Sequence, residues 1–249
     1  MYQYNKNFWL DQSVSALPPI LDFLLPLYEK SFGTDHIYGE QCIIYNDASS
    51  DCPELEVVFR PIRIRLSTSS MQYWCQVIFQ LSHELCHYAL RQYRHPCDHH
   101  LPALSWLEEI ISTAFSWYAL KYSSDNWSKC KLSLFAADYA HGLSGYLVQL
   151  QKCPANHLFA ACNTVDALVQ YDVHRMAQEN RASQQVEIAT VFQAFVDNPA
   201  SLQMLGNYYL YRRMDGVTID FERWHHDSDN PLISVLESVQ PVKSSTPVD

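Results

Sequence analysis

The sequence predicts an α+β fold, predominantly α, with a small mixed sheet near the amino terminus, two motif-bearing helices and a helical carboxy-terminal part. Three observations carry this reading. Ile62, Ile64 and Leu66 alternate with Arg63 and Arg65, the period of two that marks a strand. Trp74, Val77, Ile78, Leu81, Leu85 and Tyr88 recur at i, i+3/i+4 and i+7, the period of a helix. Beyond residue 122 the apolar pattern turns almost wholly helical. With 48% hydrophobic and 18% charged residues the chain is globular in composition. A β-containing part with the motif helices is expected over 1–122, a helical part packing on it within one continuous domain over 123–239, and a loose tail over 240–249.

Taken in order, Phe8, Trp9 and Leu10 form an apolar anchor onto the body. From Pro18 to Phe32 the spacing of Leu21, Leu24, Leu25 and Tyr28 predicts a helix, kinked at Pro26 and stopped by Gly33. Cys42–Tyr45 is a short strand closed by Asn46-Asp47, and a loop over 48–53 leads into Leu55–Phe59. Ile62–Leu66 is then a half-exposed strand, followed by the Trp74–Tyr88 helix and, after the Pro96 stop, a loop. A second helix runs from the Pro102 region to about Lys121. Further helices are expected at 125–152, 155–162, 164–181, 184–197 and 199–213. Gly142 and Gly145 in the first of these would permit close packing or a bend. Asp215–Asp229 is polar, and Asn230-Pro231 starts a last short helix.

The chemistry is concentrated in His83-Glu84-Leu85-Cys86-His87. Residues four apart lie one above the other on a helix, so His83 and His87 can bring two imidazoles to one point. Glu84 is turned about a quarter circle away and can reach water held at that point. Two neutral nitrogens and a nearby carboxylate are what a zinc site with a general base requires. The competing explanation is that Gln76, Gln80, His83 and His87 are the solvated stripe of an amphipathic helix. On the next helix the polar strip is Ser105, Glu108, Ser112 and Ser116, which makes Glu108 a solvated residue. Glu109 falls beside Trp106, Thr113 and Trp117, where a carboxylate is costly unless paired. A metal on His83 and His87 is one such partner; an Arg or Lys is the other.

These residues, with Trp106-Leu107-Glu108-Glu109 following the His-Glu-x-x-His run, resemble the gluzincin type of zinc metallopeptidase over about 60–122. The resemblance implies a zincin-like fold with a bound Zn2+ held by His83, His87 and Glu109, Glu84 as catalytic base, and an edge strand that pairs with extended substrate. Ile62–Leu66 is the candidate for that strand; an ordinary strand with a charged face is the alternative. Many members carry an Asp one turn after the ligand Glu, where this chain has Thr113, and the Asn-Glu pair of aminopeptidases is Glu108-Glu109 here. The same motif alone is similar to that of intracellular regulatory peptidases of the ImmA/IrrE type.

The function expected is hydrolysis of peptide bonds in a peptide or protein, by an endopeptidase. Two His and one carboxylate also suit a non-haem iron hydroxylase or oxygenase, and a catalytically silent binding module is the third class. Tyr171, His174, His225 and His226 are possible oxyanion donors, though each also reads as a packing or surface residue. His95–His100 could hold a second metal, or be a solvated loop. The 17 basic against 27 acidic residues, a net charge of −10, argue against a nucleic-acid partner. With no apolar run of membrane-spanning length and no basic-then-apolar amino terminus, no membrane partner is expected and the protein reads as cytoplasmic, or as exported by a route that leaves no such signal. The eight cysteines lack CxxC spacing and read as reduced core thiols.

Overall fold

The structure is a computed structural model that describes residues 1–11, 15–34, 38–93, 104–175 and 181–242. It is α+β and mostly helical. The strands are β1 (Tyr2–Gln3), β2 (Phe8–Leu10), β3 (Cys42–Asn46), β4 (Glu54–Glu56) and β5 (Ile62–Leu66). They form one mixed sheet in the order β1-β2-β3-β5-β4. β2, β3 and β5 run parallel, with Phe8 beside Cys42 and Cys42 beside Ile62, while β1 and β4 are antiparallel edges. The expected alternation is present in β5: Ile62, Ile64 and Leu66 are buried, and Arg63 and Arg65 are half-buried. Phe8 and Leu10, expected only as an anchor, are fully buried inside a strand.

Ile62–Leu66 is not an edge. β4 covers it, setting Glu54 opposite Arg65 and Glu56 opposite Arg63, and Arg65 reaches Glu54 at 2.6 Å. Opposite charges on directly facing positions favour that register, so the backbone groups that would have met substrate are already used.

The helices are α1 (Leu17–Phe32), α2 (Trp74–Tyr93), α3 (Ser105–Asn126), α4 (Tyr139–Gln151), α5 (Val165–Arg175), α6 (Gln185–Asp197), α7 (Phe221–Asp227) and α8 (Pro231–Val239). A 3₁₀ segment at Pro199–Tyr211 lies between α6 and α7. One connected set of buried apolar side chains runs from Phe8 to Val239. α1 contains Pro26 and ends at Gly33, whose backbone has φ 82°. α8 starts as expected, with the Asn230 side chain accepting from Leu232 N–H at 2.9 Å and Pro231 in the first turn.

The single helix expected over 125–152 is broken. After α3 the chain makes short 3₁₀ turns at Trp127–Lys129 and Lys131–Leu134 before α4 begins. Trp127 explains the break, since its ring packs on Trp74 and Tyr139 and its indole N–H donates to the Ala136 carbonyl at 2.8 Å. Tertiary packing of one large ring outweighs weak helical propensity. Residues 155–162 form turns, and 199–213 is 3₁₀ rather than α. Gly142 and Gly145 face open space, so neither serves close packing. Gln240, expected in a loose tail, is buried and accepts from Ile219 N–H at 2.8 Å. Pro102, His95–His100, residues 176–180 of the expected 164–181 helix and 243–249 of the tail lie outside the described residues.

Candidate metal centre

α2 is buried on nearly every side from Val77 to Leu90. Its apolar stripe meets the core, with Val77, Ile78, Leu81, Leu85 and Tyr88 at zero exposure. The opposite stripe is not solvated either: Gln80 and His83 are buried and His87 is 15% exposed at its side chain. α3 packs against α2 more extensively than any other pair of elements and covers that stripe. Gln80 ties α2 to the end of β5, accepting from Ser67 N–H at 2.9 Å and donating to Ser67 Oγ at 3.2 Å. Tyr28 of α1 donates its hydroxyl to the Ser82 carbonyl, one residue before His83. The motif helix is therefore fixed from both sides.

Between the two helices three side chains converge. His83 Nε2 lies 3.1 Å from His87 Nε2, His87 Nε2 lies 3.1 Å from Glu109 Oε1, and His83 Nε2 lies 3.5 Å from Glu109 Oε2. A zinc ion about 2.0–2.1 Å from each of its tetrahedral ligands sets those ligands roughly 3.3 Å apart. The three contacts bracket that value, those to Glu109 being made by its two different oxygens, and two ring nitrogens with a carboxylate form a donor set for zinc or a neighbouring divalent ion. Among the described residues this is the one group of three or more metal-ligating side chains whose ligand atoms gather within 4.8 Å.

Each histidine also has a group behind its second nitrogen. Thr113 Oγ1 is 3.5 Å from His83 Nδ1. Glu108 Oε2 is 3.6 Å from His87 Nδ1. Glu108 is thus not solvated: it is 7% exposed and accepts a hydrogen bond from the Tyr208 hydroxyl. Beyond the half-buried Ser105 the polar strip of α3 is turned inward, with Ser112 and Ser116 fully buried and Ser116 Oγ donating to the Ser112 carbonyl at 2.7 Å. α3 has apolar residues on almost every side, and a helix of that kind is buried all round. That feature was in the sequence and should have placed the strip inside.

Glu109 is the more exposed of the two carboxylates, 28% against 10% at the side chain. Trp106 packs on Phe159 and Trp117 on Phe192. Convergence with the two histidines therefore marks Glu109, rather than the aromatic burial expected of it. Glu84 is buried at 4% and stands outside the converging group.

The electrostatics follow from crowding three carboxylates against two imidazoles. Burial alone would favour a neutral His87, but Glu108, Glu109 and the Glu84 charge outweigh it and push its pKa up to about 10. Burial would raise the Glu109 carboxyl, but the His83 and His87 rings hold it well below the usual carboxylate range. Metal-free, the cluster is an ion pair; a metal ion must displace the His87 proton to bind.

The other donors considered do not join this group. Tyr171 hydrogen-bonds Ser183 and packs on Phe159, and His174 is exposed. His225 pairs with Glu237 and His226 with Asp227, all at the surface. The seven described cysteines are free; Cys42, Cys86, Cys130 and Cys162 are buried as expected, but Cys153 is exposed. Among the described residues no helix is long and apolar enough to cross a membrane. No protein-family model, no curated protein and no solved structure matches the chain.

Proposed function

We propose that this protein is a zinc-dependent endopeptidase of the zincin-like, gluzincin type, in which His83, His87 and Glu109 hold Zn2+. The observation that carries the reading is the convergence of His83 Nε2 and His87 Nε2, 3.1 Å apart, on the Glu109 carboxylate, whose Oε1 lies 3.1 Å from His87 and whose Oε2 lies 3.5 Å from His83. When bound, the ion supplies Lewis acidity that polarises a carbonyl and acidifies water. Glu84 is the chain's own base. It sits beside a ligand histidine, outside the ligand group, and takes the proton of the water that attacks the peptide carbon. It then returns that proton to the leaving amine. Substrate reaches the cluster from the Glu109 side, the least buried part of the triangle. Free cysteines support a reducing, cytoplasmic setting.

The test is Glu84→Gln in the full chain, measuring metal stoichiometry beside cleavage of a disordered protein. An amide of nearly equal volume cannot accept the proton, so one ion per chain is retained and hydrolysis falls about 100-fold or more. Undiminished hydrolysis by the metal-loaded variant overturns the mechanism. Hydrolysis by neither protein overturns the peptidase reading. Iron rather than zinc in freshly purified protein would then favour the oxygenase, and a metal-loaded but inert protein the binding module.

A further inference from the structure

Glu108 poses a problem that the ligand triangle does not solve. A buried carboxylate is expensive unless its oxygens are engaged, and this one is not among the ligands. Its two oxygens point to different partners. Oε1 accepts from the hydroxyl of Tyr208, which is 1% exposed and comes from the 3₁₀ segment Pro199–Tyr211. Oε2 faces His87 Nδ1 at 3.6 Å, within ion-pair reach though longer than a formed hydrogen bond. The opposite nitrogen of the same ring, Nε2, is the one in the ligand triangle. Tyr208, Glu108 and His87 thus stand in line behind the metal position.

We propose that Tyr208 and Glu108 form a positioning unit for His87, through which the carboxy-terminal part of the chain sets the affinity of the metal centre. The proposal rests on the metal reading above. A carboxylate behind Nδ1 keeps the proton on that nitrogen and leaves the Nε2 lone pair for the ion, and it raises the ring's basicity. The tyrosine hydroxyl fixes the carboxylate in turn, so that it cannot swing forward and compete as a ligand. Behind His83 Nδ1, at 3.5 Å, stands the neutral Thr113 hydroxyl.

The rest of the first turn of α3 is held from the same direction. Asp172 Oδ1 accepts Trp106 N–H at 2.7 Å, the Trp106 indole donates to the Val217 carbonyl at 2.8 Å, and Gln184 donates to the Trp106 carbonyl at 3.0 Å. No side chain of α3's own N-terminus caps it. The turn that carries both Glu108 and Glu109 is thus positioned by residues from the second half of the chain, and Tyr208 is the contact that continues to a ligand.

Glu108→Gln and Tyr208→Phe in the full-length chain test this, read by Zn2+ affinity from competition with a chelator and by the visible spectrum of the Co2+-substituted protein. Glu108→Gln is expected to weaken Zn2+ binding about 10- to 100-fold, the range for losing such an outer partner, and to shift the Co2+ bands. Tyr208→Phe, which removes one hydroxyl and is the variant more certain to fold, shifts both readouts the same way but less. A purely structural role would lower the melting temperature and leave affinity and spectrum of the folded protein unchanged, which would overturn the proposal. An effect of Glu108→Gln with none from Tyr208→Phe would overturn the part assigned to Tyr208. Failure of the underlying metal reading looks different: wild type would bind no ion, or Glu109→Ala would bind as well as wild type.

Discussion

Two regions of this molecule set a histidine against a glutamate at the same distance. His87 Nε2 lies 3.1 Å from Glu109, and His225 Nε2 lies 3.1 Å from Glu237. The surface region is even the richer in adjacent imidazoles, with His226 following His225 on α7. Yet, among the described residues, only the first brings three metal-ligating side chains together. His83 and His87 are four apart, so their rings fall on one face of α2, with ring centroids 4.8 Å apart. His225 and His226 are neighbours, which a helix turns about 100° apart, and each finds its own acid, Glu237 or Asp227. Burial completes the contrast: the His83 side chain is 3% exposed and that of His226 is 88% exposed. Convergence and shelter, rather than residue type, separate the buried group from two surface ion pairs.

The sharpest way to break this comparison is to remove the third corner of the buried triangle. Glu109→Ala leaves two ring nitrogens and no carboxylate, and should lower metal affinity by more than the roughly 10- to 100-fold expected of an outer partner. Metal content after dialysis, measured against wild type, checks it. Equal content would mean that two histidines suffice and that the convergence of Glu109 is incidental.

A smaller effect sharpens the electrostatic half of the contrast. His87 in the metal-free protein has its pKa raised to about 10, against an ordinary value of 6.5. A raised pKa means that this ion pair stabilises the metal-free fold fully below 6.5, and that the contribution is lost as pH rises through 10. A divalent ion needs the neutral ring, so loading at pH 7 should release about one proton from His87 per ion bound. Apparent affinity should therefore climb with pH across the neutral range. Calorimetry in two buffers of different ionisation heat reads the proton count directly, and zero release would contradict the raised pKa.

The convergence of His83 and His87 was legible in the sequence because its key relation is local. Four-residue spacing fixes two rings on one face wherever the helix goes, and the alternation of Ile62, Ile64 and Leu66 was equally self-contained. What escaped was set by distant partners. The burial of Glu108 follows from the all-round apolarity of α3, but its partner Tyr208 lies a hundred positions on and leaves no local sign. Ile62–Leu66 reads locally either as an edge or as an ordinary strand with a charged face, because nothing local shows that Glu54–Glu56 folds back over it. Trp127 broke an expected helix by packing on Trp74, on a different helix. In each case a side chain found a partner that periodicity does not encode.

The smallest effect belongs to the surface pair, and it is the control on everything above. If histidine content alone made a metal site, α7 would compete for the ion, since it offers two imidazoles beside Glu237 and Asp227. If geometry and burial decide, His225→Ala changes nothing that the buried centre does. The His225 side chain is 37% exposed and that of Glu237 is 49% exposed, so solvent screens their attraction and an exposed pair of this kind contributes about 0–1 kcal/mol. The variant should therefore keep the wild-type metal stoichiometry and the wild-type Zn2+ affinity, and its unfolding free energy should move by no more than about 0.5 kcal/mol, as for most surface substitutions. Chelator competition and a denaturant melt measure both on the same preparation. A fall in stoichiometry on losing His225 would mean that the ion visits the surface cluster, and the two regions would then differ in degree rather than in kind.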